Sequence, residues 1–98
     1  MILEVADIRI QTGRQAEFDL AITAAAATTI AKATGYISHQ IHKGIESPER
    51  YLLTVQWATL ENHTVDFRES APFAEWRRLV GPFFASPPAV EHFSLLNA

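Results

Sequence analysis

The chain has no cysteine. That removes a disulfide framework, a thiolate nucleophile and any cysteine-ligated zinc or iron–sulfur centre. Charge is scarce as well: 8 basic and 11 acidic side chains, 19% of the residues, leave a net charge of −3. No basic cluster offers the electrostatic footprint of a nucleic-acid or anionic-membrane binder. Apolar runs stay far below the ~20 residues that a bilayer-spanning helix needs. The opening MILEVADIRI lacks the basic flank and long apolar core of a secretion signal, so a cytoplasmic location is expected. Glycine-rich phosphate loops, a G-x-S-x-G elbow and a dinucleotide fingerprint are all missing. No metal site is expected either: His39 and His42 are three apart on a strand-like segment, which turns them to opposite faces.

What the chain has in quantity is apolar surface. Hydrophobic residues make up 48% and aromatics 10% of 98 residues, enough for one domain over residues 1–98. A body of this length buries only about 60–65% of its unfolded surface. The surplus of apolar side chains therefore suggests a face covered by a second subunit.

Periodicity supplies the order of elements. Ile2 to Ile10 is aliphatic and β-branched and reads as a strand, closed by the turn Gln11-Thr12-Gly13. From Arg14 to Ala33, Phe18, Ile22, Ala25, Ala26 and Ile30 recur at three- and four-residue spacing, the stripe of a helix that Gly35 is placed to end. Tyr36 to Gly44 alternates, setting Ile37, His39 and Ile41 against Tyr36, Ser38, Gln40 and His42. After the turn Glu46-Ser47-Pro48-Glu49, Arg50 to Trp57 forms the second arm of a hairpin. Two short helical pieces, Leu60 to Arg68 and Pro72 to Leu79, precede a last strand from Ala89 to Leu96. The order β-α-β-β-α-β predicts an α+β, ferredoxin-like fold with an antiparallel sheet and helices on one face. Strand residues are apolar on both sides, so a homodimer through the sheet faces is expected.

Several segments carry a resemblance: GYISHQIHKGIESPERYLLTVQW, ENHTVDFRESAPFAEWR and the terminal PPAVEHF. With the strand-Gly-helix opening, they resemble the antibiotic biosynthesis monooxygenase superfamily of dimeric α+β barrels. The resemblance covers essentially the whole chain. It implies that fold, and an activity among cofactor-independent oxygenases of polyketide quinols, haem-degrading enzymes and isomerases. Haem-degrading members resemble one another in an Asn, a Trp and a haem-ligating His. Those positions fall here on Asp7, Phe67 and Arg77, and an arginine does not ligate iron as histidine does. Haem is therefore not expected as a cofactor, and no other cofactor is implied.

The stretch from Trp57 to Trp76 concentrates the candidates, because it joins a strand to a helical segment where a cavity wall can form. His63 is a candidate base or hydrogen-bond donor, against a plain exposed histidine near Glu61 and Asp66. Arg68 could stabilise an oxygen anion or simply pair with a nearby carboxylate. Asp7 on the first strand is an alternative proton acceptor. Trp57, Phe67, Phe73 and Trp76 would form an aromatic substrate wall if they are not merely core. His39, between Ile37 and Ile41, reads first as a hydrogen-bonded structural histidine and second as a substrate contact. His92 reads equally as a dimer contact or a chemical group. Two functions follow: a cofactor-independent monooxygenase for a small quinol or phenol, or a non-catalytic dimer that binds a small hydrophobic ligand or serves as an accessory subunit. Convergence of Asp7, His63 and Arg68 on one cavity would favour the first.

Overall fold

Alternation along the first strand decides which side of the sheet becomes the core. The computed structural model describes residues 1–98. Strand β1 (Ile2–Arg9) turns Glu4, Ala6 and Ile8 inward and leaves Leu3, Val5, Asp7 and Arg9 on the other side. Helix α1 (Gln15–Thr28) follows, then the hairpin of β2 (Tyr36–Lys43) and β3 (Arg50–Trp57). A π-helical turn (Asn62–Phe67), helix α2 (Ala71–Val80) and β4 (Ala89–Phe93) complete the order. The strands pair antiparallel in the order β2-β3-β1-β4. This is the expected α+β, ferredoxin-like arrangement, with both helices on one side of the sheet.

The core lies between that side and the helices. Tyr51, Leu53, Val55 and Trp57 of β3 project into it beside Ala6 and Ile8. Phe18, Ile22, Ala25 and Ala26 of α1, with Trp76 and Val80 of α2, cover them. Two alanines at the contact keep α1 close to the sheet, and the Phe18 ring meets Tyr51 edge-on at 4.8 Å. No helix is long and apolar enough to cross a membrane.

Three boundaries differ from the sequence expectation, each for a local reason. Helix α1 stops at Thr28 rather than Ala33, because the Thr28 and Thr29 hydroxyls donate back to the carbonyls of Ala24 and Ala25, and a short 3-10 turn (Ile30–Lys32) follows. Strand β2 is not a simple alternation: a bulge between Tyr36 and Ser38 shifts the register. Tyr36, His39 and Ile41 thus share the core side, opposite Trp57, Val55 and Leu53, while Ile37 is exposed. The last strand ends at Phe93, three residues early.

Gly35 has the left-handed φ of +81°, not as the cap of α1 but at the start of β2. A Cβ there would lie 2.0 Å from Asn62 Oδ1, the atom that accepts the Thr59 backbone N–H. Gly13, at φ +85°, has no atom within 4 Å of its would-be Cβ. Gly13→Ala is therefore expected to cost about 1–2 kcal/mol of strain alone. Gly35→Ala should cost roughly 2–5 kcal/mol, because crowding adds to strain. Urea denaturation of the two variants gives the comparison directly.

Candidate active site

Between the sheet and α2 lies a mostly apolar cavity of about 880 Å³, within the range that binds small molecules. Its floor is the inward side of β1, Glu4, Ala6 and Ile8, with Leu53 of β3. One wall is the π-helical turn, another is α2, and the segment from Phe84 to Pro88 closes the far side. Most of the lining is hydrocarbon, so the few polar groups set its chemistry.

The central one is Glu4, a carboxyl group only 6% exposed. Its Oε1 accepts the Trp57 indole N–H at 2.9 Å and lies 3.4 Å from His63 Nε2. Burial raises the Glu4 pKa, opposed by the Trp57 hydrogen bond and by the positive charge of Arg68. His63 is equally buried, at 4%. Its ring stacks on Trp57 at 5.3 Å, and its Nδ1 lies 2.7 Å from Nε2 of His92 on β4. Burial, then the charges of Arg68 and His92, pull the His63 pKa down to about 4. His63 is consequently neutral at physiological pH, so its 3.4 Å approach to Glu4 is not an ion pair. His92 is shifted down in the same sense, by burial and then Arg68.

Local backbone geometry brings these groups together. In the turn Asn62–Phe67 the Arg68 N–H donates to the His63 carbonyl at 3.3 Å, the five-residue spacing of a π-helix. That wider turn lets residues four and five apart flank one face, so Phe67 and Arg68 both attend His63 at the cavity. An ordinary α-helix would rotate Arg68 away. Ser70 then ends the turn and caps α2 by accepting the Phe73 N–H.

The expected site residues separate clearly in space. His63, Phe67, Arg68, Phe73 and Trp76 line the cavity. Trp57 lies beneath it, fully buried, and acts through its N–H on Glu4. Asp7 does not reach the cavity: it is one residue out of phase with the inward set of β1, and on the outer side it forms a bidentate pair with Arg50 at 2.7 and 3.1 Å. His39 does not line it either. It sits on β2, the strand at the far edge from β4, where its Nδ1 meets the Tyr36 hydroxyl at 2.7 Å. Glu4 is the group that sequence reasoning missed, yet its signal was present: it is in phase with Ala6, Ile8 and Ile10 on the apolar side of an alternating strand. No three side chains converge as a metal-ion set.

The low His63 pKa has a consequence for stability. In the unfolded chain a histidine takes up a proton near pH 6.5, whereas folded His63 resists until about 4. The unfolded state binds more protons in that window, so this contribution is full above pH 6.5 and is lost as pH falls through 4. Its size is about 3 kcal/mol. Urea melts at pH 7 and pH 4 should show His63→Gln losing less stability on acidification than the unaltered protein, by that order.

Comparison with known proteins identifies the family and the fold. The family model described as antibiotic biosynthesis monooxygenase matches residues 1–79. The uncharacterized protein YczJ of Bacillus subtilis (strain 168) is 42% identical over 93 residues, which is 95% of this chain and 97% of that protein. A Bordetella bronchiseptica structure described as an antibiotic biosynthesis monooxygenase superposes with a TM-score of 0.92 at 45% identity, covering 98% of this chain and 97% of that one. SnoaB of Streptomyces nogalater, a cofactor-independent oxygenase, shares the fold at a TM-score of 0.82 and 14% identity, covering 99% and 94%. The match over four-fifths of its length and these two near relatives place the chain in one family: it is a member of the antibiotic biosynthesis monooxygenases.

Proposed function

We propose that the protein is a cofactor-independent monooxygenase for a small electron-rich aromatic, a quinol or phenol, and that Glu4 is the group that takes the substrate proton. The observation that carries this reading is a buried carboxyl with a raised pKa on the floor of an apolar cavity. His63 Nδ1 is engaged by His92, and its Nε2 faces Glu4 at 3.4 Å. Glu4 Oε1 accepts the Trp57 N–H and lies 3.4 Å from His63, but Oε2 has no protein partner. Oε2 is thus the atom free to meet a substrate hydroxyl, and His63 holds the carboxyl in place. Raising the carboxyl pKa brings it closer to that of a phenol and makes it a stronger base.

The remaining groups have matching tasks. Arg68 stands near enough to influence Glu4, His63 and His92, and its fixed charge stabilises the oxygen anion left when the proton departs. Phe67 and Phe73, packed edge-on at 5.4 Å, offer apolar aromatic surface to the ring and keep water away. The anion then reduces O₂ directly. One oxygen atom enters the ring carbon that loses hydrogen, and the other leaves as water, so a phenol with a free para C–H becomes a quinone. Family membership and the shared fold of SnoaB support this assignment. Glu4→Gln should lower enzyme-dependent O₂ uptake with 1-naphthol, whose para C–H is free, by roughly 10²–10⁴-fold, as loss of a general base does. Unchanged uptake would remove Glu4 as the base. If the unaltered protein binds 1-naphthol without consuming O₂, it is the ligand-binding dimer instead.

The assembly is proposed on similar grounds. The sheet side away from the helices carries Leu3, Val5 and Leu52, partly covered, and the more exposed Ile37 and Phe93. Polar Thr54 and Gln56 and the Asp7–Arg50 pair lie among them. Two copies placing these sides together would hide the apolar set, as the family resemblance implies. Light scattering should give a mass near twice the 10.9 kDa chain. Leu52→Asp should shift it to the monomer, since an unpaired buried carboxylate costs several kcal/mol.

A further inference from the structure

Two of the four unpaired cations of this acidic protein line one cavity. Arg14, Lys43, Arg50 and Arg78 each have a carboxylate partner. Arg9, Lys32, Arg68 and Arg77 have none within ion-pair distance and no side-chain hydrogen bond, and of these four Arg68 and Arg77 line the cavity. With a net charge of −3, composition alone does not place two free guanidinium groups on one opening. We propose that the substrate is an anion, an aromatic hydroxy-acid whose carboxylate is held by Arg77. The proposal rests on the cavity being the aromatic-binding site, and it adds the second functional group of the ligand.

The cavity has chemically distinct ends. Glu4 and His63 occupy one, and the only cation that influences Glu4 is Arg68. Arg77 belongs to the other. From the imidazole, an aromatic row runs through Phe67 at 6.2 Å and on to Phe73 at 5.4 Å, and the Arg77 guanidinium lies 5.9 Å from the Phe73 ring centre. A flat ring against this row presents one edge to Glu4 and the opposite edge to Arg77. Sign fixes the direction. A carboxylate at the Glu4 end would face another carboxyl group across low-dielectric space, whereas at the Arg77 end it meets a planar fork of donors matched to its two oxygens. The neighbouring Arg78 is neutralised by Glu75 and leaves Arg77 as the free cation of α2 on this cavity. The hydroxyl then reaches Glu4 Oε2 because the carboxylate is anchored at the other end.

Binding, rather than turnover, tests this. Isothermal titration of the full chain with 2-naphthol and with 6-hydroxy-2-naphthoate compares two air-stable ligands that differ by one carboxylate. At low salt the acid is expected to bind about tenfold more tightly, the size of one partly screened charge-assisted bond. High salt should shrink the difference. Arg77→Gln should abolish it while leaving 2-naphthol affinity and the circular dichroism spectrum unchanged, since Arg77 is exposed and its loss opens no core. Equal affinities in the unaltered protein, or an advantage for the acid that survives Arg77→Gln, would overturn the anionic substrate while leaving the aromatic site intact. Failure of both ligands to bind would overturn the two together.

Discussion

Glu4 is a carboxyl group placed where a small domain can least tolerate one, on the core side of its sheet, and its neighbours are arranged around that constraint. An isolated buried carboxylate loses the solvation that stabilises its charge, so it needs donors or it takes up a proton. The Trp57 N–H supplies a donor at one oxygen, with His63 3.4 Å from the same atom, and Arg68 supplies a positive field. Trp57 in turn must be fully buried to bring its indole nitrogen under Glu4, and it ends β3 where the chain turns toward the helical segment. The same interaction that settles the acid therefore fixes the junction from which the cavity wall is built.

That wall depends on an uncommon backbone form. The π-helical turn gives His63 two companions on one face, Phe67 and Arg68, so an apolar ring and a cation border the same imidazole. It is held at its start by Asn62, whose side chain accepts the Thr59 N–H and donates to Asp66. The space Asn62 occupies exists only because residue 35 has no side chain. The start of β2 and the position of His63 are thus linked through one glycine, although β2 contributes nothing to the cavity lining.

The fold was legible in the sequence because its signals are local: apolar spacing in α1, the turn around Pro48, and the serine-proline start of α2 at Ser70 and Pro72. The site was legible only in part. His63, Arg68, Phe67, Phe73 and Trp76 came from one contiguous stretch, and the structure brings those five to one cavity. Glu4 and His92 come from β1 and β4, whose pairing of Glu4 with His92 is a long-range register that no local pattern reveals. The misplacing of His39 beside Ile37 has a similar origin, since a single bulged residue reverses the alternation assumed across it. Arg68 was harder still: on α-helical geometry its angle from His63 argued against it, and only the five-residue hydrogen bond restores it.

Strand β1 shows how two acids of one sequence acquire opposite characters. Glu4 and Asp7 are three residues apart, which on a strand places them on opposite sides of the sheet. Asp7 meets a bidentate arginine in partly solvated surroundings, and that bond to Arg50 lowers its pKa. It remains ionised, a fixed charge among the apolar residues of the outer side. Glu4 meets burial first and the Trp57 donor second, so its proton is held more tightly. Two like groups whose environments push their pKa values apart are the usual basis for assigning acid–base roles. Here the sheet itself does the separating, because every odd residue of β1 faces outward and every even one faces the cavity or the core.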